Sequence, residues 1–330
     1  MSDLKNTFCW SFSQAKDFAD CKRRHFWNRY GFWSGWDGAA PVEARTAYRL
    51  KQMKNKWALI GEAIDRVIAE ALKRHVAGAE VSLQKSIEKA NQWLRHAWKD
   101  HRGGGWRSDP KRVICIREFY YSELPDEPGT KRDAWADQIK QRTEICLANF
   151  FSSVLPRLGA FTHADLLPVA RPEQGDPEHF HLGQVKIYAI PDWACRVAGR
   201  TAIHDWKTGV RRDYHDYQVA IYGLWAQMKH HVPAEDIALT IEYLEAGEFR
   251  PVTYSAALGS ATCDRILSSV SEIRQYLVNR DLERNEPLPK DEFPKTDDLA
   301  KCRLCNYREL CNRQFAAIAD DSDDDADSVF

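Results

Sequence analysis

The chain has 330 residues, 44% hydrophobic, 29% charged and 12% aromatic, a globular composition that excludes a disordered or collagen-like chain and suffices for one large domain or two. No uncharged apolar run approaches the ~18 residues of a membrane span, and the opening MSDLKNTFCW lacks a basic segment followed by an apolar stretch, so a soluble cytoplasmic protein with no membrane attachment is expected. Net charge is −1, but residues 320–330 (DDSDDDADSVF) hold six Asp and no Lys or Arg; setting those charges aside leaves +5 on residues 1–319, which is compatible with nucleic-acid binding without demanding it.

Residues 11–30 read as a helix, with Ser11 or Ser13 as cap and Phe12, Ala15, Phe18 and Ala19 at helical spacing. An aromatic, Gly- and Pro-bearing loop over 31–42 follows, then one long helix over 44–76 with Trp57, Ile60, Ile64, Val67, Ile68, Ala71 and Leu72 on a stripe. Gly78 ends it. Helices over 81–100 and 130–155, the latter stopping before Pro156, are separated by the RGGGW break at 102–106. After Gly159 the pattern changes to strands at 166–169, 180–189, 193–197 and 201–206, with a hairpin bend at Ala198-Gly199-Arg200. A helix over 213–231 stops at Pro233; strands at 237–243 and 250–254 and a helix over 256–279 complete an α/β arrangement.

Chemistry concentrates in Ile190-Pro191-Asp192 and Asp205-Trp206-Lys207-Thr208-Gly209. Asp205 and Lys207 are two apart on a strand and share a face, while His204 and Trp206 point the other way. A hairpin through Gly199 brings Asp192 beside Asp205, and two acids on adjacent strands make a hard-oxygen site suited to Mg²⁺ or Mn²⁺. A lysine next to such a site is not a ligand; it holds or polarises the attacking water and offsets charge on a pentacovalent phosphate. Gln218 and Tyr222 are one helical turn apart, as are Gly61 and Asp65 on the earlier helix. Singly, Asp192 reads as a turn residue and Asp205–Lys207 reads better as a solvated strand edge. The specific signal is the ordered set G-x3-D, PD, D-x-K, Q-x3-Y.

This order resembles the PD-(D/E)XK nuclease superfamily, and within it the RecB-like branch that includes CRISPR-associated RecB-like nucleases and AddB-type nuclease domains. The resemblance runs from about Ser11 to Cys311. It implies a restriction-endonuclease-like core, a mixed central sheet flanked by helices, carrying a large N-terminal helical region and a C-terminal Cys-cluster staple. The expected units are 1–160, helical and including Cys21 and the first core helix at 44–76; 161–280, the nuclease core; 281–318, the Cys-cluster segment; and 319–330, a disordered acidic tail. By resemblance, Asp192, Asp205 and the Trp206 backbone carbonyl bind the catalytic metal, Lys207 is the catalytic lysine, and Gln218 and Tyr222 support the site and contact the DNA backbone. Where the branch usually has His on the first core helix this chain has Asp65, an acid that adds negative charge as a ligand.

Nine Cys in a chain with no visible export signal point away from disulfides and towards metal ligation. Cys302-x2-Cys305-x5-Cys311 has ligand spacing for Zn²⁺ or an Fe–S cluster. The stretch from Cys21 to Tyr30 resembles the family's N-terminal signature, in which a distant Cys joins three C-terminal ones around a [4Fe–4S] cluster. Cys21 would then close a loop of about 280 residues. Zinc held by the four thiolates, or by three of them and His25, is the alternative. Cys9, Cys115, Cys146, Cys195 and Cys263 are expected as buried small hydrophobes.

Lys22, Arg23, Arg24 and Arg29 interleave with Phe26, Trp27 and Tyr30, a pattern that suits single-stranded DNA, or else aromatics packing the Cys cluster beneath solvated charges. Arg211 and Arg212 are better placed for a phosphate near the metal. The tail ends in Phe330 and is similar to the acidic tip of bacterial single-stranded-DNA-binding proteins; as a contact segment it would mimic DNA or recruit a partner. The expectation is a metal-dependent DNA nuclease, an exonuclease on linear or single-stranded ends, serving repair or recombination, CRISPR adaptation or antiphage defence. With no P-loop pattern, helicase or ATPase activity would come from a partner. The alternative is a catalytically silent DNA-binding or scaffold subunit of a larger complex, and the sequence does not separate DNA from RNA.

Overall fold

The computed structural model describes residues 5–159, 161–172, 175–313 and 315. The tail at 320–330 and the contact role considered for it lie outside these residues.

The N-terminal half is helical: α1 (Phe12–Asp20), α2 (Lys22–Phe26), α3 (Val42–Lys51), α4 (Lys56–Val76), α5 (Leu83–Gly103), α6 (Arg117–Tyr120), α7 (Lys131–Asn149) and α8 (Leu155–Leu158). Two of the long helices expected from periodicity are broken by capping chemistry that periodicity does not register. At Cys21 the backbone turns extended and the thiol accepts a hydrogen bond from the Arg24 amide, ending α1 and capping α2. Between α3 and α4, the Asn55 side chain caps the Ala58 amide at 2.9 Å, and Lys54 pairs through its backbone with Cys115 and Arg117. Pro156 does not stop the helical run, which passes from α7 through a π-helical segment at Phe150–Val154 directly into α8.

The second half supplies the sheets. A two-stranded hairpin of β1 (His179–Leu182) and β2 (Val185–Tyr188) replaces the single strand expected over 180–189, because Gly183 adopts φ +58° between them. The segment 166–169 makes only an isolated bridge, Leu166 to Cys195. The main sheet comprises β3 (Trp193–Val197), β4 (Arg200–Lys207), β5 (Ile237–Tyr243) and β6 (Glu248–Thr253) in that spatial order. β3 and β4 are antiparallel, β4 and β5 parallel, and β5 and β6 antiparallel. α9 (Tyr214–His230) is the crossover from β4 to β5, as parallel pairing requires. Ala198 and Gly199 take φ +49° and +79°, the two left-handed residues of a tight hairpin turn, and this fixes the β3–β4 register. α10 (Ala256–Arg274) and α11 (Leu299–Leu304) follow.

The result is a mixed α/β fold of the restriction-endonuclease-like kind, a four-stranded mixed sheet with helices on both faces. On one face Ile203, Leu239 and Ile241 pack with Val219 and Trp225 of α9 and Ile266 and Val270 of α10. On the other, Trp206 and Leu244 join α4, α5 and α7. α4 buries eight residues on its stripe, from Leu59 to Leu72. Each large aliphatic among them contributes about 1.5–3 kcal/mol, against ~0.5 kcal/mol for a surface pair such as Glu62–Arg66. Packing therefore sets where α4 lies, and with it where Asp65 lies.

Candidate active site

β3 begins at Trp193, paired with His204, so Asp192 falls opposite Asp205 at the end of the hairpin. There the Asp192 Oδ2 accepts a hydrogen bond from the Trp206 amide at 2.7 Å. Asp205 is 2% exposed. Its Oδ2 pairs with Lys207 Nζ at 2.7 Å. Lys207 Nζ donates to Gln218 Oε1 at 2.8 Å, and Gln218 Nε2 donates to the Tyr222 hydroxyl at 3.0 Å. The Q-x3-Y pair on α9 is thus a two-step prop under the lysine of β4.

Asp65, Gly61, Lys207, Gln218 and Tyr222 all line one cleft of about 510 Å³, with Trp57 and Phe12 on its walls. Asp65 is accessible from the cleft, yet protein crowds its carboxyl: burial, then the Asp205 and Glu62 carboxylates, push it up to about 6 against the pull of Arg171 and Lys207. Asp192 is held well above its usual range by burial and by Asp205 and Asp65, against Lys207 and the Trp206 amide. Burial, then Asp205 and Asp192, likewise raises the Tyr222 phenol far above its ordinary value, keeping it neutral.

Asp65 and Asp192, each raised by burial and by the Asp205 carboxylate, form with it a crowded acidic set whose repulsion a divalent cation relieves. The donor chemistry fits Mg²⁺ or Mn²⁺. Among the described residues, however, no three His, Cys, Asp or Glu side chains converge as closely as an ion needs.

Two residues at the site carry no sequence motif. Arg171 donates to the Asp192 carbonyl at 2.9 Å and acts electrostatically on Asp65. His215 lines the cleft beside the Tyr243 hydroxyl, 3.2 Å away, and burial, with Lys207 and Arg212 nearby, pushes it down to about 3. Arg171 precedes the β1–β2 hairpin in irregular chain, and His215 sits among the apolar residues of α9, so neither spacing nor pattern marks them.

Cys21, Cys302, Cys305 and Cys311 line a second, small cavity together with Arg24, Trp27 and Tyr307. Burial raises the Cys302 and Cys311 thiols and pushes Cys305 up to about 12. The four cysteines thus border one small cavity, although among the described residues no three such side chains converge as closely as an ion needs. His25 does not line this cavity; its ring packs edge-on against Phe18 and Tyr30.

The arginines expected to meet phosphate divide. Arg23 and Arg24 are buried: Arg23 donates to the Phe293 carbonyl at 2.8 Å, and Arg24 pairs with Asp17 at 2.5 Å and Asp20 at 3.3 Å. These contacts tie the N-terminal helices together and to the 291–293 segment, so a phosphate at the surface does not reach either arginine. Phe26 and Tyr30 pack on Phe293 as core. Arg211 is exposed and Arg212 half-buried, just beyond Gly209 of the cleft.

A comparison with proteins of curated function finds no match. A comparison with protein families matches residues 9–312 to the PD-(D/E)XK nuclease superfamily, whose members are in general phosphodiester-cleaving nucleases that typically use Mg²⁺ or Mn²⁺. The match covers most of the chain and includes every element that builds the cleft, and the chain therefore belongs to the PD-(D/E)XK nuclease superfamily.

Proposed function

We propose that the protein is a metal-dependent DNA nuclease of the RecB-like kind, acting on linear or single-stranded ends. One observation carries the reading: Lys207 stands 2.7 Å from Asp205 and 2.8 Å from Gln218, at the edge of a cleft that Asp65 also lines. Asp65, Asp192, Asp205 and the Trp206 carbonyl would hold Mg²⁺ or Mn²⁺. Bound there, the ion supplies Lewis acidity for the phosphate oxygen and a more acidic water. Lys207 orients the attacking water and offsets the negative charge that grows on the phosphoryl oxygens. Gln218 keeps the ammonium from collapsing fully onto Asp205, and Tyr222 keeps the Gln218 amide turned the right way. Arg171 moderates the negative field of the acids from the Asp192 side. The exposed Arg211 and its neighbour Arg212 would take a flanking phosphate.

We further propose that Cys21, Cys302, Cys305 and Cys311 hold a [4Fe–4S] cluster that ties the two ends of the described chain together, away from the cleft, in a structural rather than catalytic role. Repair or recombination, CRISPR adaptation and antiphage defence are the settings this chemistry suits.

The test is cleavage of end-labelled linear and circular DNA in Mg²⁺, Mn²⁺ and EDTA. Metal-dependent loss of linear label with circular DNA spared supports an exonuclease, and the labelled end that disappears gives polarity. Cutting of circles overturns the end requirement, and no cutting of any form favours a silent binding subunit.

A further inference from the structure

The cleft is not isolated. Through Glu62 it adjoins a cavity of about 470 Å³ between α4, α5 and the 110–114 segment, and through Pro110 that cavity adjoins another of about 430 Å³ beside α3. Both have the volume of a pocket for a small ligand.

The middle cavity is lined by Lys54, Arg66, Lys89, Lys111 and Arg112 against two acids, Glu62 and Asp100. Glu62 is already neutralised by Lys54 and Arg66: burial pushes its carboxyl up, and the hydrogen bonds from those two cations outweigh that and hold it down. Lys111 is exposed, and the Arg112 side chain is 86% exposed with only a 3.8 Å approach to Asp109. In the same cavity the Trp93 ring lies beneath the Arg66 guanidinium, 5.5 Å away. The far cavity again carries both cations and rings: Arg45, Arg49 and Arg107 line it with Trp36 and Tyr48 against two acids, Asp37 and Asp109, and Trp36 is 44% exposed.

Cations and ring faces alternating along a joined surface match a ligand that repeats a negative charge and a flat face. That ligand is a single strand of nucleic acid; an acidic polypeptide would use the cations and leave the rings idle. We propose that the three cavities form one track, along which a single strand lies with a phosphate in the cleft, its backbone on Lys111 and Arg112, and a base on Trp36. The proposal rests on the reading of the cleft as a nuclease site.

The experiment measures binding of the full chain to fluorescent thirty-nucleotide oligothymidine by anisotropy, with EDTA present to prevent cutting. Lys111→Glu/Arg112→Glu is expected to weaken binding about tenfold or more and to make the slope of log K against log salt shallower by about 1.4, the counterion release of two single-strand phosphates. Lys111→Ala/Arg112→Ala gives the same loss in smaller measure. Trp36→Ala weakens binding about fivefold or more through the lost stacking. Arg196→Glu/Arg200→Glu, which reverses as many charges at the turn end of the β3–β4 hairpin, is expected to bind as the wild type does.

Wild-type affinity and slope in the Lys111/Arg112 variants, or an equal loss in the Arg196/Arg200 control, overturns the track. Cleavage in Mg²⁺ is scored separately. If the variants lose binding as expected while the wild type never cuts, the track stands and the nuclease reading fails. If the wild type cuts and the variants bind normally, the track fails alone.

Discussion

The carboxylate of Asp192 caps the amide of Trp206 at 2.7 Å, so the loop that bears the first acid is pinned to the strand that bears the second acid and the lysine. The bond uses one oxygen and leaves Asp192 in line with Asp205 across the hairpin. Placement of the acids is thus a property of β-pairing, and the prop under Lys207 is a property of one helical turn of α9.

That prop is separable from the acids. Gln218→Ala removes the acceptor of Lys207 Nζ and the donor to Tyr222. One lost hydrogen bond to a charged group corresponds to about a tenfold or greater fall in cleavage rate, with DNA affinity near wild type. Single-turnover kinetics beside a binding titration checks it. An unchanged rate would remove Gln218 from any positioning role.

Asp65 costs stability where it is charged. Its folded-state pKa, about 6, is raised above the unfolded value, so its contribution is fully present below about pH 4 and is lost as pH rises through 6. Asp65→Asn should therefore raise the melting temperature at pH 8 in EDTA, by the equivalent of about 1 kcal/mol once solvent in the open cleft is allowed for. The same variant should gain less from added Mg²⁺ than the wild type. Thermal melts at pH 4 and pH 8, with and without the metal, give all of these values.

His25 works in the opposite direction. Burial, with Arg29 near, pushes it down to about 3, so the unfolded chain takes up the proton first as pH falls. Stability present above about pH 6.5 is lost towards pH 3, amounting to about 2 kcal/mol by pH 5 from this residue alone. His25→Phe keeps a ring between Phe18 and Tyr30, and it should flatten the dependence of melting temperature on pH between 5 and 7.

For the thiols, Cys21→Ser is the informative change. Serine still caps α2, so lost stability reports the lost ligand rather than the lost cap. Protein purified without oxygen should carry about four iron and four sulfide per chain with visible absorbance, and the variant close to none. Closing a loop of about 280 residues corresponds to about 5 kcal/mol by chain entropy, so the variant should melt well below the wild type. Zinc in place of iron would keep the staple and discard the cluster.

What the sequence discloses follows from which interactions are periodic. The hairpin at Ala198-Gly199 is legible because only a left-handed pair fits between two strands, and β3 and β5 have the bounds that alternation and turn residues predict. Spacings of two on a strand and four on a helix pair Asp205 with Lys207 and Gln218 with Tyr222, whereas the meeting of these elements with Asp65 of α4 around one cleft is what the family resemblance implies. Other features depend on contacts distant in sequence. Nothing local distinguishes the buried Arg23 from a solvated arginine, since the Phe293 carbonyl becomes its partner only after folding. Arg171 reaches the site through a backbone carbonyl, which leaves no trace in side-chain pattern. The break at Lys54 and Asn55 depends on a bridge to Ile116 that a one-dimensional stripe does not contain.

The most direct test of the central claim compares wild type with Lys207→Ala on the same end-labelled linear DNA in Mg²⁺, with folding matched by circular dichroism and DNA affinity by anisotropy in EDTA. The expected result is equal fold and near-equal affinity, with cleavage lower by about 1,000-fold, the scale of losing a preorganised donor at a charged transition state. Undiminished cleavage by Lys207→Ala, or no metal-dependent cleavage by the wild type on any linear DNA, would contradict it.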